Sequence, residues 1–145
     1  YHKILFDLGP DDTFLRNAEQ MNVDIEAVDT VVISHGHIDH GGALRLFLER
    51  NHTATVYIHQ RAFEAVYAPF FLFQRNVGLD QSLANHERLF YLNDTYCIDE
   101  ELLIFTDDNA SHPEQCLLVY ESGMRVLFAG CAHTGILNLL EFTEE

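Results

Sequence analysis

Val31-Val32-Ile33-Ser34-His35-Gly36-His37-Ile38-Asp39-His40-Gly41-Gly42 is the stretch on which the reading of this chain turns. Its first half is a run of apolar, β-branched residues, the composition of a buried strand. Its second half carries four potential metal ligands within six residues: His35, His37, Asp39 and His40. Imidazole and carboxylate together suit ions of the zinc, manganese and iron kind. A strand that stops abruptly lets the next few side chains converge on one point. Gly36 gives the backbone room to turn, and Gly41-Gly42 permit a second sharp bend into a helix. A polar, solvated, His-rich loop is the plainer reading, but it does not call for this strand-stop-ligand-glycine order. The context points to a metal site.

A second histidine lies in matching context. Val126-Leu127-Phe128-Ala129 is another apolar run, and it leads into Gly130-Cys131-Ala132-His133-Thr134-Gly135. Two strand ends, each opening into a glycine-bracketed loop bearing histidine, suit a metal site along one edge of a sheet. His133 is therefore expected to be a ligand and not simply a structural histidine.

The remaining chain bounds the class. A length of 145 residues fits a single domain, residues 1–145, and 48% apolar composition is ample for one core. No stretch approaches the ~20 apolar residues of a membrane span, and the first residues do not read as a signal peptide. The chain opens at Tyr1 in what already looks like the middle of a strand, so a longer natural domain is expected. The formal charge is −15, with Lys3 the sole lysine, and such a surface repels phosphate backbones. Arg45, Arg50 and Arg61 are too sparse for a basic patch, so nucleic acid is not an expected partner. Cys97, Cys116 and Cys131 share no CxxC spacing, and a reducing cytoplasm is the simplest setting.

Coarse patterning places the motifs. Residues 1–8 read as a strand ending at Asp7-Leu8-Gly9-Pro10, and Phe14, Leu15, Ala18 and Met21 recur at helical spacing. The buried strand at 30–34 follows, then a helix over 42–50, a strand over 54–59 and a helix over 60–67. From 69 to 85 the pattern weakens into an aromatic stretch, Phe70-Phe71-Leu72-Phe73, expected to pack in the core or to wall a substrate pocket. Strands at 89–92, 96–98, 102–105, 116–120 and 125–129 complete the chain, with a turn-rich acidic loop at 107–113. Helices interleaved with strands, then mostly strands, point to an α/β layered fold (α+β in its layering) with a mixed sheet.

These residues carry a resemblance. Ile4-Leu5-Phe6-Asp7-Leu8-Gly9, the His35-Gly36-His37-Ile38-Asp39-His40 motif behind its strand, and residues 126–136 together resemble the metallo-β-lactamase superfamily. Gly-Cys-Ala-His-Thr-Gly-Ile-Leu-Asn is similar to a narrower branch, which holds metal-dependent hydrolases and relatives of the archaeal dihydropterin-ribofuranosylaminobenzene phosphate synthase. The resemblance spans nearly the whole chain, including Tyr57-Ile58-His59 and Glu114-Gln115. It implies an αββα sandwich, incomplete at both ends here, with one or two ions at one edge of two sheets. His35, His37 and His133 would form one site, with Asp39 and His40 facing a second. Asp7 would support the ligand loop from behind, a role that matters because an unoriented histidine binds metal more weakly.

The chain also departs from the family pattern. Cys131 stands where an aspartate commonly bridges the two ions, and it reads as a packed thiol, with ligation the alternative. No Asp or His follows His133, so the ligand that usually completes the second site is missing. His112 could take the third-histidine position of more distant members, or simply be solvated in its acidic loop. His59 reads as supporting or structural, and His2, His52 and His86 as surface residues.

The implied chemistry follows from a metal, with zinc the expected ion and manganese or iron also possible. Bound zinc lowers the pKa of its water from 15.7 to roughly 7, and two ions ~3.5–4 Å apart can clamp attacking and leaving oxygens. Asp39 is the residue expected to orient or deprotonate the attacking water. The reading is a hydrolase of a small ester, lactone or phosphoester. A pterin-type condensing synthase and a non-catalytic metal-binding fragment are the alternatives.

Overall fold

The computed structural model describes residues 1–107 and 113–141. Strand β1 (Ile4–Phe6) leads through helix α1 (Thr13–Gln20) and a 3-10 turn (Ile25–Ala27) to β2 (Thr30–Val32). Two short helices follow, α2 (Ile38–Gly41) and α3 (Leu44–Arg50), then β3 (Thr55–His59). A hairpin of β4 (Tyr67–Phe70) and β5 (Phe73–Asn76) precedes β6 (Leu89–Leu92) and β7 (Tyr96–Cys97). The chain closes with β8 (Leu102–Asp107), β9 (Glu114–Glu121), β10 (Met124–Phe128) and α4 (Ile136–Glu141).

In place of one mixed sheet there are two sheets of opposite character. Strands β1-β2-β3-β6 form a parallel sheet, whose crossovers carry the helices. Strands β10-β9-β8-β7 form an antiparallel meander. The period-2 alternation of strands sorts the core into two layers. Val31, Ile33, Val56 and Ile58 face the helices and pack with Ala18, Leu44, Phe47 and Leu48. Val32 faces the other way, with Ile4, Phe6 and Tyr57, against Leu102, Ile104 and Leu117 of the antiparallel sheet. Each fully buried Val, Leu or Ile contributes roughly 1.5–3 kcal/mol. Helix on sheet on sheet is therefore what this alternation requires.

Two sequence expectations need correction. Residues 60–67 form a series of turns and the start of β4 and not a helix. Ala62 N–H closes back on the His59 carbonyl at 2.9 Å, which ends β3 in a tight turn. The aromatic stretch does not pack in the core either. Phe71 and Leu72 sit at the hairpin tip, 92% and 94% exposed, with Phe73 beside them at 69%. The hairpin satisfies its own backbone bonds and stands away from both cores, so its aromatics find no apolar partner layer. Helix α4 is not legible in the sequence because its four apolar residues lie too close together to show a period.

Candidate metal centre

The parallel sheet decides where the chemistry collects. Asp7 follows β1, Ser34 to His40 follow β2, and His59 ends β3, so all three strand ends open at one edge. Ligands of open parallel sheets bind at this carboxyl edge. Asp7 takes a left-handed backbone, φ 61°, which a short polar side chain tolerates. That turn folds its carboxylate back across the sheet. One oxygen accepts the Ser34 N–H at 2.7 Å; the other accepts the Ser34 hydroxyl at 2.8 Å and lies 2.7 Å from His40 Nδ1.

Ser34, to which the motif assigns no role, sets the orientation of His35. Its single hydroxyl proton goes to Asp7, so toward His35 Nδ1, 2.9 Å away, the oxygen can only accept. His35 therefore carries its proton on Nδ1 and turns the Nε2 lone pair outward. The Asp7 carboxylate likewise accepts from His40 Nδ1, leaving His40 Nε2 to face out. Second-layer partners of this kind set ring tautomer and angle in metal sites.

Around these oriented rings the remaining nitrogens gather. His35 Nε2 lies 3.0 Å from His37 Nδ1 and 3.4 Å from His133 Nε2. The rings meet nearly edge to face, at 75° between His35 and His37 and 85° between His35 and His133. Cys131 Sγ lies 3.2 Å from His40 Nε2, and Asp39 Oδ2 lies 3.7 Å from the same nitrogen. A ring nitrogen from each of His35 and His133 and the Cys131 sulfur fall within 4.8 Å of one another. Tetrahedral zinc holds nitrogen ligands ~3.3 Å apart, and a sulfur ~3.6 Å from a nitrogen. The His35–His37 and His35–His133 nitrogen separations lie within a few tenths of an ångström of the first value, so these imidazoles suit such an ion.

The loop bearing His133 is held by a residue to which the sequence assigned no role. Glu114, at the head of β9 and 1% exposed, accepts the Ala132 N–H on one oxygen at 2.9 Å and the His133 N–H on the other at 2.7 Å. Ala132 needs that clamp, since its φ of 53° is costly for alanine. Gln115 beside it ties β9 to the end of β2. Its N–H bonds the Ser34 carbonyl at 2.7 Å and its amide the Ile33 carbonyl at 3.2 Å. Gly130 is required here by space: a Cβ would collide with the Ser34 hydroxyl and crowd Glu114 at 3.0 Å.

Other residues singled out in the sequence take varied places. Asp39 is solvent-facing, its side chain 65% exposed. His59 is fully buried, its Nδ1 accepting the Arg61 N–H at 3.1 Å. Cys131 is exposed, so the packed-thiol expectation fails; Cys116 is the buried thiol, pushed up to about 12 by desolvation. His112 lies outside the described residues. His2 is not a bare surface residue but bridges Asp29 and Asp99, each at 2.9 Å.

Electrostatics divides the histidines. Burial, reinforced by the His40, His37 and His133 rings, lowers His35 to about 3, so it is neutral and a ready donor at pH 7. The hydrogen bond to Asp7 acts oppositely and raises His40 above its ordinary value of 6.5. A cation taking the His40 Nε2 lone pair must displace a proton there, whereas His35 offers no competition until strongly acid pH. Metal uptake by the native chain is therefore expected to release protons and to weaken as pH falls through His40's raised range, beginning above 6.5. Asp7→Asn removes the raising bond. It should move that onset to lower pH while weakening uptake at pH 8 by roughly 10–100-fold. Calorimetric zinc titration in buffers of different ionisation enthalpy reads both quantities. A pH-independent affinity between about 5 and 8 would show that His40 is not among the groups displaced.

Comparison with known proteins places the fold in a family. Residues 2–138 match the family model of the metallo-beta-lactamase superfamily, and the chain belongs to that superfamily. An uncharacterized protein of Methanocaldococcus jannaschii, MJ0448, is 26% identical over 97% of this chain; the chain spans 62% of that relative's length. Among solved structures, an N-acyl homoserine lactone hydrolase with the product N-hexanoyl-L-homoserine at its catalytic metal centre aligns at TM-score 0.69. It is 15% identical, and the alignment covers 99% of this chain and 72% of that one. MEM-A1, a subclass B3 metallo-beta-lactamase from a soil metagenome library, aligns at TM-score 0.54 and 14% identity. Here 90% of this chain and 56% of that one are covered. At such identities the likeness is one of fold, the αββα sandwich, of which this chain spans part. No helix among the described residues is long and apolar enough to cross a membrane.

Proposed function

We propose that residues 1–145 form one metallo-β-lactamase-like domain that hydrolyses a small ester, lactone or phosphoester. In this reading His35, His37 and His133 hold one divalent ion, zinc foremost, and Asp39 and His40 contribute to a second. One observation carries the reading. His35 Nε2, its tautomer set by Ser34 and Asp7, converges with His37 Nδ1 at 3.0 Å and His133 Nε2 at 3.4 Å. Three imidazole nitrogens converging from two loops are a donor set that a shared cation would use at once.

A bound ion of this kind supplies Lewis acidity and lowers the pKa of water to about 7. The chain's own residues do the rest. Asp39, exposed to solvent, would accept a proton from an attacking water. Ser34 and Asp7 hold His35 and His40 in register, and Glu114 holds His133. A small cleft lined by Gly36, Arg61, Ala62, Val66 and Pro113 opens beside His37. The hydrolases with solved structures named above favour this reaction class, and the acidic surface disfavours a polyanionic partner.

The His37→Ala/Asp39→Ala double variant tests the reading. Native protein is expected to take up close to two zinc equivalents and to turn over a member of a lactone, thioester and phosphoester panel. The double variant should keep its fold by circular dichroism and lose the turnover by at least ~100-fold. One equivalent or none, with no hydrolysis of any panel member by the native chain, would overturn it.

A further inference from the structure

We propose that the β4–β5 hairpin docks on lipid, its Phe71-Leu72 tip seated in the interface of a zwitterionic bilayer. The chain would lie on such a surface and not span it. This goes beyond the hydrolase reading and does not depend on it. Three observations carry it.

The tip is apolar, exposed and unsupported. Phe70, Phe71, Leu72 and Phe73 are 48%, 92%, 94% and 69% exposed, and the Phe70 and Phe71 rings meet edge to face, 5.1 Å apart. Phe71 also has φ 52°, at the first position of a two-residue turn. Glycine suits that position, whereas a bulky side chain is strained there. Neither solubility nor turn geometry calls for phenylalanine at this point. A medium that takes up the ring does.

The hairpin also brings its own backbone partners. Its antiparallel register runs from Tyr67↔Asn76 to Phe70↔Phe73, and a paired backbone is what entry into an apolar layer requires. The side chains are graded along it: Tyr67, Gln74, Arg75 and Asn76 at the base, the apolar residues at the tip. Tyrosine at headgroup level and a snorkelling arginine suit that order. The root is fixed, with Val77 N–H on the Val66 carbonyl and Ile38 N–H on the Val77 carbonyl, each at 2.7 Å. Strands of 4 residues project the tip ~13 Å from that root, at ~3.3 Å per residue. That exceeds the ~5–10 Å to which interfacial apolar groups sink, so the root stays in water. Docking would thus hold the ligand loop, which Ile38 ties to the root, close to the bilayer surface.

Charge and area select the occupant. Residues 65–79 contain no Asp or Glu, and Arg75 is their sole charge, in a chain of formal charge −15. Anionic headgroups would repel the rest of such a chain, so a zwitterionic surface fits better. A second copy fits less well. Four side chains on a convex turn fall short of the ~800 Å² that each partner buries in a stable interface.

Vesicles of phosphatidylcholine test this on the intact chain. The chain has no tryptophan, so Leu72→Trp places a lone indole at the tip. Vesicles should shift its emission to the blue, and bromine on the acyl chains should quench it. Native protein should float with the vesicles. Leu72→Glu should lower the bound fraction by about tenfold or more, since a charge is costly in the apolar layer. Leu72 faces solvent, so this variant should keep the native circular dichroism and melting temperature. Flotation that Leu72→Glu leaves intact, or that grows with phosphatidylserine and falls with salt, would assign the contact to another surface and overturn the proposal. A blue shift that rises with protein concentration in the absence of vesicles, with a dimer by sedimentation, would make a second copy the occupant and overturn it too. So would native protein that stays in solution while the indole of Leu72→Trp remains unshifted.

Discussion

Replacing Gly36 by alanine is expected to cost about 3 kcal/mol of stability, the upper end for overpacking a filled site. A Cβ there would fall on the Ala62 carbonyl oxygen, with the Ala62 carbonyl carbon at 2.9 Å and its Cα at 3.0 Å. All three atoms are backbone, so no rotamer change relieves the clash. Either the turn after β3 or the ligand loop must move. Gly36 lies between His35 and His37, so a shift of the loop carries both ring nitrogens off their common point. Zinc affinity should fall with it, by roughly 10–100-fold, as when ligand orientation is lost. Urea unfolding of the metal-free protein and zinc titration against a chromophoric chelator read the two effects separately. Gly123→Ala is the control. Gly123 has φ 78°, but a Cβ there would meet nothing within 4 Å, so its cost should stay near ~1 kcal/mol. Equal, small effects at both positions would mean that the ligand loop is not held against the β3 turn.

Glu114→Gln is the second large effect. The carboxylate is 1% exposed and accepts two backbone N–H groups, so both of its oxygens must be acceptors. Glutamine preserves the shape but turns one acceptor into a donor facing a donor. Losing a hydrogen bond to a charged group and leaving the buried N–H unsatisfied costs roughly 2–3 kcal/mol. The strained Ala132 then loses part of what holds it, and His133 moves with it. Zinc affinity should drop by roughly 10–100-fold, with the rings of His35 and His37 unaffected. Nuclear magnetic resonance of the histidine rings in the metal-free protein separates the two sites: His133 should shift and His35 should not. A variant with unchanged melting temperature and unchanged affinity would mean that other contacts hold the loop.

These two residues also mark the limit of what could be read from the chain. The His-x-His-x-Asp-His motif was legible because everything that makes it recognisable lies within twelve residues: apolar strand, stop, ligands and glycines. The strands β1, β2, β3 and β8 to β10 were legible for the same reason, since alternation and turn signals are local. The turns at 60–66 were not, because their apolar spacing mimics a helix while the tight closure on His59 that breaks it is decided by the ligand loop beside it. The exposed hairpin tip misled in the opposite direction. Four apolar residues in a row announce burial, and only the topology leaves them outside both cores.

Among the site residues the division is similar. His35, His37 and His40 are assigned by their spacing, and Asp7 by its place at a strand end. The contacts of Ser34 and Glu114, and the exposure of Cys131 beside His40, come from the meeting of distant segments. Asp7 reaches His40 across 33 residues, Glu114 reaches His133 across 19, and Cys131 reaches His40 across 91. By itself, then, the sequence determined the family, the layered architecture and the core of the metal-binding motif, since period and spacing express short-range sterics and burial. Which histidine is buried and neutral, which carboxylate clamps a backbone loop, and which cysteine faces the centre were decided only in the tertiary structure. Those depend on desolvation and hydrogen-bond partners, and the partners come from strands that meet only once two sheets have packed.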